Sequence, residues 1–374
     1  MKKIIFKKLL REILFFFFIS SLALTLIIWV IQAVNYLDIV SEDGHSFKVY
    51  FSYTLMTIPR VFNKILPFAF FFSIFYIISN YEDKNQLLIY WTHGIKKKEF
   101  LNAIIKFSFL FLILHFILSV FLVPFSQNKA RSFIRASNLD FFPSLIKPKR
   151  FIDTVENLTI YVESKNSAGL IKNIILKDKI DSNNSQIILA KTGEIYLQDG
   201  KKYLLLYNGR IINISKLKDT SVFKFKETRF DLNKYNTKTT TYPKIQEVET
   251  TQLIYCTQLL KKGLTYTKLD QMNCEKNFLD NIIQELFKRM YLPIYIPLIA
   301  LMASFLILKS KSSLNYSAFK IYVFTAGVFF LVISEISLKF AGNNMLHNIY
   351  FLSTPIISFL IMHKIFNHKL NTDR

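Results

Sequence analysis

Long apolar runs alternate with polar stretches along the chain, and that pattern predicts its organisation. Three runs come first, at about Ile13–Val34, Ile58–Ser79 and Leu101–Phe125. Three more close the chain, at about Phe287–Leu308, Ile321–Leu338 and Ile349–Ile365. Each is long enough to cross a bilayer's hydrocarbon as a helix. Pro59 falls at the start of the second run and Pro67 inside it, while Pro293 and Pro297 fall in the fourth. Such prolines are tolerated where neighbouring helices cover the freed carbonyls. The first run has no small-residue cleavage site, so it is expected to stay as a span rather than leave as a signal peptide.

The polar middle has a different period. Leu158, Ile160 and Val162 alternate with Thr159 and Tyr161, which is a half-buried strand. Ile187 to Ser215 reads as three strands joined by turns at Asp199-Gly200 and Asn208-Gly209, because paired positive φ angles favour those dipeptides. Val222 to Phe230 alternates again. Many short antiparallel strands predict a β-sandwich or jelly roll. Glu247 to Lys262 reads as a short amphipathic helix ended by Gly263. The predicted layout is residues 1–126 with three spans, a β domain with its linker at 127–284, and three further spans at 285–374.

Charge then orients the chain. The N-terminus, the Tyr81–Phe100 loop, the Lys309–Lys320 loop and the C-terminal tail are rich in Lys and Arg, and the Phe340–Asn348 turn has neither. Positive loops stay inside, so both termini are expected in the cytoplasm and the β domain outside it. In a soluble protein the net charge of +22 would point to nucleic acid. Here basic flanks beside spans account for it, and nucleic acid is not an expected partner. Cys256 and Cys274 are open to either state, one bridge in an oxidising compartment or two thiols.

The chemistry of enzymes is thin. No P-loop, no H-E-x-x-H and no nucleophile motif occurs, and the six histidines are scattered. No catalytic residue, metal or cofactor is expected. Lys106 and His115 fall inside the third run, either as interfacial or bundle-facing side chains or as functional polar positions. Lys64, Arg131 and Arg135 fall near the external ends of spans. They read as interfacial anchors or as binders of an anionic group. Glu285 with Arg289 and Glu335 with Lys339 are spaced i, i+4 and read as structural pairs.

Several short stretches carry a resemblance. They are Pro59 with Ile65, Leu66 and Pro67; Trp91-Thr92-His93-Gly94-Ile95; and Phe151 with Leu158 to Glu163. Further matches are Ala190 to Gly193, Leu205 to Gly209, Glu285 to Arg289, and Ser337 to Lys339. Together with the layout of spans they resemble the lipopolysaccharide-export permeases of the LptF/LptG family, with the F-type favoured. The resemblance implies six transmembrane helices flanking a periplasmic β-jellyroll in the inner membrane. It also implies an ABC exporter that extracts lipopolysaccharide and passes it to a periplasmic β-jellyroll bridge protein. The implied partners are a G-type permease and a cytosolic ABC ATPase dimer that supplies hydrolysis, and the implied client carries phosphates for which Lys64, Arg131 and Arg135 are the expected lipid-binding contacts.

Residues 81–94 are expected to be the helix that docks into that ATPase, through Glu82, Gln86, Leu87, Leu88, Trp91 and Gly94. A helix lying on the lipid surface is the competing reading. Gln86 stands where the family usually has a glutamate, and Glu82, at i−4, is the expected substitute. A lipoprotein-release or mechanotransmission permease and a polytopic membrane enzyme are the alternative functions.

Overall fold

The computed structural model describes residues 2–41, 46–136, 148–155, 157–166, 169–179, 184–198, 201–214, 220–232, 244–262, 266–268, 273–338 and 345–372. The amino-terminal half is helical. Helix α1 (Lys2–Asn35) includes the basic start as well as the first apolar run. Two short helices follow, α2 (Asp38–Ser41) and α3 (Phe47–Met56), then α4 (Ile58–Asp83) and α5 (Gln86–Thr92). Helix α6 (Lys97–Ile117) passes through a π turn at Leu118–Leu122 into α7 (Val123–Ala136).

After the sheet come α8 (Thr250–Lys261), α9 (Leu279–Tyr291), α10 (Tyr295–Ser304), α11 (Tyr316–Leu338) and α12 (Met345–Thr372). Six stretches are long and apolar enough to span a membrane, and each expected run lies within one of them. The expected fold class holds: membrane helices with a β domain between them.

Proline explains the broken fourth span. Pro293 supplies no N–H, and the chain tightens into a 3-10 turn at Leu292–Ile294 between α9 and α10. Every residue of α10 is buried, and it packs on α4, α6, α11 and α12. An apolar helix covered on all sides is the centre of its bundle. Helices α1, α11 and α12 instead leave Phe15, Ile27, Phe329, Leu360 and other apolar side chains exposed. Such faces need lipid or a partner.

The chain forms two compact units. One comprises 1–30, 57–128 and 244–374; the other comprises 31–56 and 129–243. This partition differs from the expected boundaries at two places. Residues 31–56 belong with the sheet. Residues 244–284 belong with the helices, because α8 packs on α9 and the small β7–β8 hairpin (Tyr266–Lys268, Asn273–Glu275) packs on α8. A disulfide between Cys256 and Cys274 ties that hairpin to α8, so the bridged alternative is the one the structure holds.

The sheet has six antiparallel strands in sequential order. They are β1 (Arg150–Val155), β2 (Leu158–Lys165), β3 (Ile171–Lys179), β4 (Ser185–Gln198), β5 (Lys201–Ile214) and β6 (Thr220–Asp231). Every pairing is between neighbours in the chain, so among the described residues the sheet is a meander whose edges are β1 and β6. Its core lies on one face. Leu158, Ile160 and Val162 join Ile174, Leu176, Ile188, Leu204 and Leu206 there, as the alternation of β2 predicted.

One expected turn is absent. Asn208-Gly209 does not end a strand, and β5 runs straight through it, paired to β4 and β6 on both sides without a change of register. Asn208 does take a positive φ of 52°. Gly209 is required for a different reason: a Cβ there would strike the Leu189 carbonyl oxygen and the Phe225 ring. A glycine inside a strand often marks such a close approach. The other expected turn, Asp199-Gly200, lies outside the described residues.

Candidate functional site

The loop between α4 and α6 is built in two steps. Helix α4 ends at Asp83, and Asn85, at a φ of 57°, turns the chain so that α5 begins only at Gln86. The expected helix over 81–94 is therefore two elements. At its other end the Ile95 N–H donates to the Tyr90 carbonyl and the Gly94 N–H to the Trp91 carbonyl, with Gly94 at a φ of 69°. This is a Schellman stop, and the left-handed residue it needs is why glycine follows His93.

Helix α5 has an inner and an outer face. Leu87 and Tyr90 are 1% and 3% exposed, while Leu88 and Ile89 are 59% and 50% exposed. The Tyr90 hydroxyl donates to the Ile5 carbonyl at 3.3 Å, and its ring meets those of Phe6 and Phe100 at 6.1 and 5.4 Å. Burial pushes the Tyr90 phenol up to about 12, so it stays a neutral donor. Half-buried Trp91 leans on Phe100. Positions 87, 90 and 91 thus share the face that seals onto the bundle, and the apolar centre splits between anchor and surface. Of the leucines expected to dock, Leu88 is available, with Ile89 beside it, and Leu87 is not.

The acids preceding α5 are also committed. The Lys311 N–H donates to Glu82 Oε1 at 2.7 Å. Lys311 Nζ donates to the Asp83 carbonyl, and Lys320 Nζ bridges Asp83 Oδ2 at 3.2 Å. Glu82 is not one helical turn from Gln86, because the left-handed Asn85 breaks the helix between them. The i−4 spacing on which the expected substitution rested is therefore not a shared helical face. The basic loop after α10 was legible as topology, not as the partner of these two acids.

A second charged group lies at the other end of α4. Lys64 is exposed there, with Arg60, Lys288, Glu285 and Glu335 as its charged neighbours. The structure thus gathers a residue read as a lipid contact and two read as structural pairs. Lys339 lies outside the described residues. Glu285 meets Lys288 at 3.6 Å and Arg289 at 3.0 Å.

Arg289 is 2% exposed. Its five N–H donors reach Glu285, the Val248, Ile245 and Gln246 carbonyls, and the Thr250 hydroxyl. Thr250 in turn donates to the Val120 carbonyl within the π turn. A guanidinium so saturated has no donor left for a ligand.

In the other unit Arg131 is 8% exposed and Arg135 is exposed. His115 is fully buried and faces the bundle, whereas Lys106 is exposed. Among the described residues no group of three or more His, Cys, Asp or Glu is placed to hold a metal.

The sequence model of the lipopolysaccharide export system permeases LptF/LptG matches residues 7–366. The chain belongs to this family. The match runs from the first helix to the last and takes in the sheet, so the six spans and the β domain are one family architecture and not a fusion. It covers the F- and G-type members together. An uncharacterised protein of Rickettsia prowazekii (strain Madrid E), RP871, is 21% identical over 203 residues, which is 54% of this chain and 56% of that protein.

Proposed function

We propose that this chain is the F-type transmembrane permease subunit of an ABC exporter that moves lipopolysaccharide out of the inner membrane toward the outer membrane. Family membership supports the client and the transport role. The chain carries no nucleotide-binding motif, so hydrolysis belongs to a separate cytosolic ATPase dimer, and the exposed apolar faces of α1, α11 and α12 suit a G-type partner and lipid. Both termini are cytoplasmic and the sheet is periplasmic in this reading. The disulfide agrees with it, because stable bridges form in oxidising compartments.

The hand-off runs through the sheet. Its open edges carry exposed Phe151 on β1, and Val222 and Phe223 on β6. An unpaired edge beside apolar side chains suits strand addition by a bridging β-jellyroll. Phosphates of the client meet Lys64, with Lys288 and Arg60 close by, and exposed Arg135. Arg131, at 8% exposed, is less accessible to them.

The observation that carries the energetic coupling is the two-faced α5: Leu87 and Tyr90 lock it to the bundle while Leu88 and Ile89 project outward. A rigidly seated helix with an apolar outer face is what transmits a push from an ATPase groove. Leu88→Glu with Ile89→Glu is expected to release the ATPase in detergent pull-downs with the six spans still inserted. Leu87→Glu is expected to lower the yield of folded protein instead. ATPase retained by the Leu88/Ile89 double variant overturns the docking assignment and favours a helix that lies on lipid.

A further inference from the structure

A groove of about 830 Å³ opens between the first half of α1 and α6. Five cations line it, Lys2, Lys3, Lys7, Arg11 and Lys106, and no acid does. Lys2 is spent on Glu99 at 3.0 Å and on the Gly94 carbonyl at 3.2 Å. The other four make no ion pair with any described residue. Lys3, Lys7 and Arg11 follow one another at i, i+4 along one stripe of α1, where like charges repel.

Lys106 sits deeper. From Lys97 to Lys106 the helix rises about 13 Å, which carries the residue into the apolar part of α6. A lysine at that depth needs its ammonium drawn toward an anion or the interface.

The rest of the lining is apolar: Phe6, Leu10 and Ala103 lie among the charges, and Leu14, Phe107 and Leu110 continue the groove one turn beyond Arg11 and Lys106. A basic mouth above an apolar slot is the shape of an amphiphile, not of a free anion. Lys3 and Arg11 are about 12 Å apart along the helix, farther than one phosphate reaches.

We propose that this groove binds an anionic phospholipid of the leaflet it faces. A two-phosphate headgroup spans Lys3 to Arg11 and Lys106, and the acyl chains lie along Leu14, Phe107 and Leu110. Basic pockets between membrane helices are known to take such headgroups. The proposal rests on α1 and α6 spanning a membrane, not on the identity of the exported client. The charged cluster around Lys64 plays no part in it.

Native mass spectrometry of the full-length protein, delipidated in detergent and titrated with tetraoleoyl cardiolipin or dioleoyl phosphatidylethanolamine, tests it. One cardiolipin is expected to be retained in preference to phosphatidylethanolamine. Arg11→Gln with Lys106→Gln is expected to lower the cardiolipin affinity about tenfold or more. Lys84→Gln with Lys98→Gln removes the same charge outside the groove and is expected to leave the affinity unchanged. Leu110→Trp, at an exposed position, narrows the slot and is expected to weaken binding without any change of charge.

Equal loss in both double variants would reduce the effect to general electrostatics and overturn the site. So would full competition by millimolar inorganic phosphate, which identifies a free-anion site. A photocrosslinker at position 110 that captures a polypeptide in place of lipid would overturn the occupant.

Discussion

At the scale of single residues, the least exposed charge does the most structural work. Arg289 brings together α9, the segment 245–250 and, through Thr250, the π turn of the third span. Its removal takes a buried donor from three carbonyls and the Thr250 hydroxyl, and takes from Glu285 its closer partner. Arg289→Met is therefore expected to cost at least about 3 kcal/mol, read as a fall in the thermal midpoint of the detergent-solubilised protein. Glu335→Gln, at an exposed position, is expected to stay within about 0.5 kcal/mol. Wild-type stability of Arg289→Met with export abolished would move Arg289 from support to client contact. The i, i+4 spacing made the Glu285–Arg289 contact legible in the sequence. The three backbone acceptors were not, because they lie some forty residues upstream and meet Arg289 only after the chain has folded back.

At the scale of elements, α5 and β5 teach the same lesson from opposite sides. Five consecutive apolar residues, 87 to 91, read as one patch, yet helical geometry sends them to both faces. In β5, Asn208-Gly209 read as a turn because local φ preference favours one. The flanking strands override that preference: residues on both sides of the dipeptide pair with β4 and β6, and the Phe225 ring occupies the space a Cβ would take. Gly209→Val is expected to cost about 2 kcal/mol or more through that overpacking. Limited proteolysis of the intact protein checks it. Cleavage is expected to rise within 185–231 and to stay unchanged in the helices. Unaltered cleavage would mean that Phe225 swings aside freely.

At the scale of the whole molecule, sidedness is the question with most leverage. The Cys256–Cys274 bridge closes a separation of 18 residues. If that segment is periplasmic, the protein extracted under alkylating conditions without reductant is expected to carry no label, and two labels after reduction. Two labels before reduction would place the segment in a reducing compartment and invert the topology. Cys256→Ser with Cys274→Ser is expected to destabilise the α8–hairpin segment by about 3 kcal/mol, seen as faster proteolysis there with the spans intact.

The sequence by itself determined the number of candidate spans, the β character of the middle and the family. Those properties are written in local patterns: apolar length, period and short motifs, each legible without knowing what packs against what. Tertiary structure alone decided which apolar residues are anchors and which are surface, that Glu82 and Asp83 belong to Lys311 and Lys320, and that Lys64, Glu285 and Glu335 are neighbours. It also decided that residues 244–284 go with the helices rather than with the sheet. Each of these joins segments far apart in the chain. Their proximity follows from how α4, α6, α10 and α11 pack together, and no periodicity within one segment carries that information.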